Sequence, residues 1–246
     1  MTDSPADDLK PGFRSDVTVE LVKHTASDAD VLFAARVSTV GEQSLDEVGK
    51  DPERSKGLIN YLMRDRHGSP FEHNSMTFFI SAPIFVFREF MRHRVGWSYN
   101  EESGRYRELQ PVFYVPGQSR KLVQQGRPGK YVFVEGTPEQ QKLVNHTMEQ
   151  SYLQAYEAYQ EMLAAGVARE VARAVLPVGL FSSMYATCNA RSLMHFLGLR
   201  TQHELAKVPS FPQREIEMVG EKMEAEWAAL MPLTYAAFNA NGRVAP

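Results

Sequence analysis

Apolar residues recur along this chain at two periods, and the switches between them mark its elements. Met76, Phe78 and Ile80 alternate with smaller or polar residues, which predicts a strand over Met76–Ser81. Val17–Val22 (VTVELV) and Leu180–Cys188 read as further strands, and Pro111–Pro116 as a short strand-like stretch. Elsewhere the spacing is helical. Val144, Met148, Tyr152, Ala155 and Tyr159 fall every three or four residues. Thr137-Pro138-Glu139-Gln140 opens that long helix with a capping-box pattern, and Gly166 closes it. Asp51-Pro52-Glu53 opens another, running to about Arg66: Asp51 caps, and Pro52 sits where no N–H is needed. Helices are also expected over Asp28–Val37, Pro83–Arg94, Ala168–Val175 and Ser210–Leu230, and behind an Asn189 cap over ARSLMHFLGLR. Gly117–Lys130, rich in Gly, Gln and basic residues, reads as an exposed loop. Helices outnumber strands without alternating with them. The expected fold is therefore α+β, with helices packed on a small, mostly antiparallel sheet in one domain over residues 15–246.

Composition narrows the partners. Lysine and arginine total 27 against 30 acidic residues, a net charge of −3, so the chain as a whole is no nucleic-acid binder by electrostatics. Any anion site has to come from local clustering. Residues 1–14 read as a loose, acidic tail without the apolar stretch of a signal peptide. No apolar run is long enough to span a membrane. The only cysteine, Cys188, cannot form an internal disulfide, so the cytoplasm is the expected location.

The chemistry concentrates between Arg88 and Arg107 (REFMRHRVGWSYNEESGRYR), where five arginines and His93 face three glutamates. Arg88 and Arg92 share a helix face, and Arg92, His93 and Arg94 near a helix end complement its dipole, which explains any one of them. The whole cluster is better read as a nucleotide or phosphate site. Arginine forks match phosphate oxygens, and Ser98, Asn100, Ser103 and the Gly104 backbone add neutral donors. Trp97, Tyr99 and Tyr106 are either core residues or a stack for a flat ring. His67-Gly68-Ser69-Pro70-Phe71-Glu72-His73 forms a polar turn between a helix and a strand. Arg169 and Arg173 lie one turn apart, with Glu170 a structural partner for either; Arg191 and His195 are spaced alike, and Arg200 ends a helix. GxGxxG, GxxxxGK[ST], HExxH and paired CxxC motifs are all missing, so a metal site is not expected. Cys188 in an apolar stretch reads as a small buried hydrophobe, not a nucleophile.

Arg92-His93-Arg94…Ser103-Gly104-Arg105-Tyr106 resembles the signature of the flavin-dependent thymidylate synthases. Ala35-Arg36-Val37-Ser38, the Gly68–His73 turn, Arg169-Glu170-Val171-Ala172-Arg173, Leu176-Pro177, Asn189-Ala190-Arg191-Ser192 and Leu199-Arg200 follow in family order, so the likeness covers about Val17 to Phe238. Two departures stand out. The spacer between Arg94 and Ser103 has eight residues where seven is commonest, the extra one near Gly96-Trp97. Thr201–Gln213, which holds His203, is longer than usual.

The resemblance implies a homotetramer with non-covalent FAD at subunit interfaces. It places FAD at Ser69, Arg92, His93, Arg94, Glu101, Asn189, Arg191 and His195, with Ser38, His67 and Glu72 as further candidates. It places dUMP at Glu89, Phe90, Met91, Arg92, Glu101, Glu102, Ser103, Gly104, Arg105, Arg173 and Arg200. The implied reaction converts dUMP to dTMP, with methylenetetrahydrofolate as carbon donor and NADPH reducing the FAD. Arg200 is the expected catalytic residue, a cation beside uracil N3 and O2. Two other readings stay open: a flavoprotein that only oxidises NADPH, and a regulatory nucleotide- or RNA-binding module.

Overall fold

A computed structural model of the chain describes residues 10–41 and 51–246. The first nine residues of the expected tail lie outside them. The chain divides into two compact units, each threaded by separate stretches of sequence. Among the described residues, the first takes 10–16, 81–88 and 101–183; the second takes 17–41, 51–80, 89–100 and 184–246. Neither is a contiguous piece of sequence, in keeping with the expected single domain.

In the first unit, β1 (Gly12–Arg14) pairs in parallel with β5 (Val112–Tyr114). The tail expectation therefore reaches too far: Gly12–Arg14 gain a ladder partner through Gly12↔Val112 and Arg14↔Tyr114. The helix α4 (Pro138–Ala164) begins as its sequence dictates. Thr137 accepts from the Gln140 N–H at 3.2 Å, and the Gln140 side chain reaches back to the Thr137 N–H at 2.8 Å. Its inner face sends Tyr152, Tyr156 and Tyr159 into a core with Leu109, Phe113, Ala172 and Leu180. Phe113 stacks on Tyr152 with ring centroids 5.1 Å apart. The expected helix Ala168–Val175 is shorter and broken: α5 covers Arg169–Ala172, then a 3-10 turn covers Arg173–Val175 before Pro177 stops it. The expected loop Gly117–Lys130 contains half of a hairpin instead. There β6 (Val123–Arg127) pairs antiparallel with β7 (Lys130–Val134) across Pro128-Gly129.

The second unit is built on a sheet of order β2-β3-β8-β4: β2 (Thr18–His24), β3 (Met76–Pro83), β8 (Phe181–Cys188) and β4 (Trp97–Glu101). Met76, Phe78 and Ile80 are fully buried, as their alternation predicts. Around it stand α1 (Asp28–Val40), α2 (Pro52–Arg64), α6 (Ala190–Arg200), α7 (Arg214–Leu230) and α8 (Pro232–Ala240). The helix α7 packs on β2, α6 and α8, and buries Ile216, Val219, Met223 and Trp227. Asp28, in the first turn of α1, accepts from the N–H groups of Leu233 and Thr234, both at 2.9 Å, and so caps α8. The helix expected over Pro83–Arg94 ends early, as α3 (Ile84–Phe90). No helix among the described residues is long and apolar enough to cross a membrane.

One buried ion pair locks the end of α6. Arg243, 3% exposed, donates to both Glu224 oxygens at 2.6 and 2.7 Å and to Thr201 Oγ1 at 3.1 Å. Removing the cation would strand a carboxylate. Arg243→Met is expected to cost about 3 kcal/mol or more, lowering the melting temperature by roughly 6–12 °C in a thermal denaturation scan.

Candidate active site

The N-terminus of α6 is the anchor of the site in the second unit. Asn189 caps it, accepting from Ser192 N at 2.9 Å. Asn74 accepts from Ala190 N at 2.8 Å and ties the helix start to the 3-10 turn Ser69–Glu72. Arg191 stands in the first turn, where the helix dipole disfavours a cation. Two acceptors offset this: Glu72 Oε1 at 2.5 Å from Nη1 and the Pro246 carbonyl at 2.6 Å from Nε. Both Arg191 and Glu72 are partly exposed, so their pair is worth at most about 1 kcal/mol. The guanidinium lies so close to Gly68 that a Cβ there would sit 2.6 Å from Arg191 Cζ. One turn on, burial pushes the His195 pKa down, helped by the charges of Arg191 and Arg66.

The second wall is the Arg92–Arg94 turn. It follows α3 directly, so these three residues stand just past the helix C-terminus, near the end the dipole reading expected. Tyr99 Oη reaches the carbonyls of Phe90 at 3.0 Å and His93 at 2.8 Å, giving the helix end a tertiary partner. Tyr99 comes from β4, a strand announced by Trp97, Tyr99 and Glu101 alternating with exposed Ser98 and Asn100. Gly96 enters that strand at φ +70°, and a Cβ there would collide with Ser192 Oγ. The Ser192 hydroxyl in turn donates to Val95 O at 2.9 Å. The longer spacer is thus pinned against α6.

His93 Nε2 accepts from Arg200 Nε at 3.1 Å, and its ring meets Phe196 edge-on at 4.9 Å. Burial, then the charges of Arg200 and His195, push its pKa down to about 4, so it is a neutral acceptor near pH 7. Arg200 Nη1 also donates to Glu89 Oε2 at 2.5 Å. Burial raises the Glu89 pKa, and Arg200 works against that rise.

A cleft of about 330 Å³ opens between these walls, lined by Glu72, His93, Arg94, Val95, Trp97, Arg191, Ser192 and His195. Four of the sequence-derived FAD positions meet there (His93, Arg94, Arg191 and His195), together with Glu72. Ser69, Arg92 and Asn189 flank it without lining it. Ser38 is exposed on α1 and donates to Ala35 O at 3.0 Å; His67 stacks on Tyr61 at 5.5 Å. Neither lines the cleft. The donor set fits an anionic, aromatic dinucleotide: two guanidiniums, two imidazoles and an indole face one space.

The first unit holds Glu101, Glu102, Ser103, Gly104, Arg105 and Arg173 of the sequence-derived set, while Phe90, fully buried, and Met91, exposed, belong to the second. Glu102 accepts from Ser183 Oγ at 3.1 Å, and burial raises the Glu101 pKa. Ser103 O accepts from Tyr106 N at 3.0 Å and Arg107 N at 3.2 Å in a tight turn. Gly104 is buried against Arg173, where a Cβ would stand 3.4 Å from Arg173 Cδ. Glu170, expected beside Arg169 or Arg173, pairs with Arg105 instead, at 3.0 Å. Tyr106 is 78% exposed and is not core. Cys188 is 2% exposed, and burial pushes its thiol pKa up, which suppresses the thiolate.

A family model described as thymidylate synthase complementing protein matches residues 20–233. The flavin-dependent thymidylate synthase of Streptomyces avermitilis is 91% identical over 246 residues, covering all of both chains. The chain belongs to the flavin-dependent thymidylate synthase family. The family enzyme of Tropheryma whipplei (strain TW08/27) is 58% identical over 97% of this chain and 98% of its own length. That of Thermotoga neapolitana is 41% identical over 89% of each. A solved structure of a UMP/dUMP methylase, PolB from Streptomyces cacaoi, bound with 5-Br dUMP, superposes with a TM-score of 0.91 at 57% identity, covering 96% of this chain and 100% of that one.

Within this family fold, sequence reasoning missed the residues that hold the site together. Gly68 and Ser192 fell inside family segments, Gly96 near the extra spacer residue and Tyr99 among the core-or-stack aromatics, but none was read as a support, because none carries charge. Only the eight-residue spacer hinted that the turn after Arg94 needed its own supports.

The depressed histidines make stability depend on pH. Above pH 6.5 neither folded nor unfolded chains protonate His93. Between pH 6.5 and about 4 the unfolded chain takes up the proton and the folded one does not. Stability is therefore lost as pH falls through that window. Melting temperatures from pH 7 to 4.5 should fall in the native chain and fall less in His93→Gln, which keeps an acceptor for Arg200.

Proposed function

We propose that this chain methylates dUMP to dTMP, taking its carbon from methylenetetrahydrofolate and its hydride from FAD reduced by NADPH. The observation that carries the reading is the cleft. Four family FAD positions from distant stretches meet in it, in a chain whose only thiol is sealed. When bound, the flavin supplies the hydride that completes the new methyl group.

The chain's own groups then divide the remaining work. Arg94, Arg191, His93 and His195 face the cofactor, with Ser69, Arg92 and Asn189 at its margins and Glu101 a further family position for it. Ser103, Gly104, Arg105 and Arg173 grip the nucleotide, alongside Phe90, Met91 and Glu102. Arg105 exchanges its Glu170 partner for an oxygen of the nucleotide. Arg200, oriented by Glu89 and His93, places its charge beside uracil N3 and O2 and stabilises negative charge on the ring. C5 then becomes nucleophilic without a cysteine. It bonds to the methylene carbon and loses its proton; that carbon's bond to the folate nitrogen breaks, tetrahydrofolate leaves, and the hydride completes the methyl group.

The assembly is a homotetramer whose neighbouring subunits complete the flavin site. The cleft lies near the lower end of the usual range for ligand pockets, ~300–1,000 Å³. Val95 on its rim is 88% exposed, open to a neighbouring chain.

UMP is a second substrate candidate, because the Streptomyces cacaoi neighbour is described as a UMP/dUMP methylase. Assays with dUMP and UMP should both read 5-methyl product against bare NADPH oxidation. Product from dUMP supports the primary reading, and oxidation alone overturns it. Cys188→Ala should keep activity. Arg200→Ala should lose turnover by about 100-fold or more while retaining the flavin absorbance. A folded but inactive Cys188→Ala would refute the cysteine-free mechanism.

A further inference from the structure

The Arg92–Arg94 turn carries more chemistry than any other segment, yet little of its own backbone bonding holds it. Arg92 N reaches Glu89 O at 3.2 Å and His93 N reaches Phe90 O at 2.9 Å; after that the regular ladder stops. The Phe90 carbonyl, at the end of a seven-residue helix, meets only the tight His93 N–H and keeps a lone pair open to a second donor. Such an end frays unless something outside the helix holds it.

We propose that Tyr99 is a positioning residue for the flavin cleft: its hydroxyl bridges the carbonyls of Phe90 and His93 and holds the Arg92–Arg94 turn in its binding conformation. This rests on the flavin reading above and adds a residue with a stated role. The hydroxyl has one proton and two acceptors, at 3.0 and 2.8 Å, so it closes the turn across three residues. Its aim is fixed from behind. The Tyr99 ring stacks on Trp97 at 5.7 Å with the planes 11° apart and meets Phe90 edge-on at 6.3 Å. Burial keeps the phenol protonated, as a donor must be.

What the bridge controls lies on the other side of the same backbone. His93 is held through its carbonyl by Tyr99 and through its imidazole by Arg200. Arg94 and Val95 follow directly, and both line the cleft. Ser192 supplies a second pin at Val95 O. With an eight-residue spacer after Arg94, these two hydroxyls fix the start of the insertion from opposite ends. Loss of the Tyr99 pin frees the His93 carbonyl, loosens the His93–Arg200 bond and spreads the cleft wall, while the stacked ring keeps the core filled.

Tyr99→Phe isolates the hydroxyl. The full-length purified chain is titrated with FAD, its melting temperature is measured without FAD, and amide hydrogen exchange is followed over residues 91–97. The expected result is FAD affinity weaker by about 5–10-fold, of the size a lost neutral hydrogen bond gives. Exchange at 91–97 should be faster, and turnover with dUMP should fall more than the KM for dUMP rises. A lower melting temperature with unchanged affinity and unchanged exchange would make Tyr99 merely structural and overturn the proposal. If Tyr99→Phe does not fold, Ser192→Ala and Ser192→Thr test the other pin. Weaker FAD binding in the first, rescued in the second, supports a pinned turn; equal binding in all three overturns it. A native chain that binds no FAD would fail the family reading instead, which keeps the two failures distinct.

Discussion

The constraint that governs this site is the holding together of like charges. Arg94 and Arg191 face one cleft, with Arg200 tied to its wall through His93. Like charges facing one space repel, the more so the less water screens them. The structure offsets that repulsion only in part. Glu72 and the Pro246 carbonyl serve Arg191, and Glu89 serves Arg200. Burial first, and the neighbouring charges second, push the pKa values of His93 and His195 down, which disfavours two further charges in the wall. What remains is a surplus of positive charge beside an aromatic-sided space.

The same arrangement explains how a thymidylate synthase can work without a thiolate. Cys188 lies in the apolar interior, where burial keeps it protonated. In the proposed reaction Arg200 activates the uracil, and its orientation is set twice over, by the Glu89 carboxylate and the His93 imidazole. A guanidinium held at two of its nitrogens has little rotational freedom left to lose when a substrate arrives. Arg243 extends this order outward, since its bond to Thr201 Oγ1 fixes the residue next to Arg200.

How much of this could be read in the sequence depends on where each cause lies. Local causes were legible. The Asp51, Thr137 and Asn189 caps and the Met76-Phe78-Ile80 alternation all formed as their side chains dictate. Distant causes were not. The helix predicted to reach Arg94 ends at Phe90, where a hydroxyl nine residues away takes the carbonyl. The strand Val123–Arg127 has no apolar alternation and exists because Lys130–Val134 folds back on it. Glu170 chose Arg105, 65 residues away, over Arg169 and Arg173 beside it in sequence. In the site, the charged residues were visible as an ordered motif. The uncharged supports at Gly68, Gly96, Tyr99 and Ser192 act through close approach and backbone carbonyls, which leave no charge pattern to read.

The central claim is that surplus positive charge in this cleft holds the flavin dinucleotide. A titration of the full-length chain with FAD at several salt concentrations tests it most directly. Partly exposed cations are screened over about 8–10 Å at 0.1–0.15 M ionic strength. The account predicts binding with a perturbed flavin absorbance and an affinity that falls steadily as salt rises. Affinity indifferent to salt, or no binding at any salt, would contradict it.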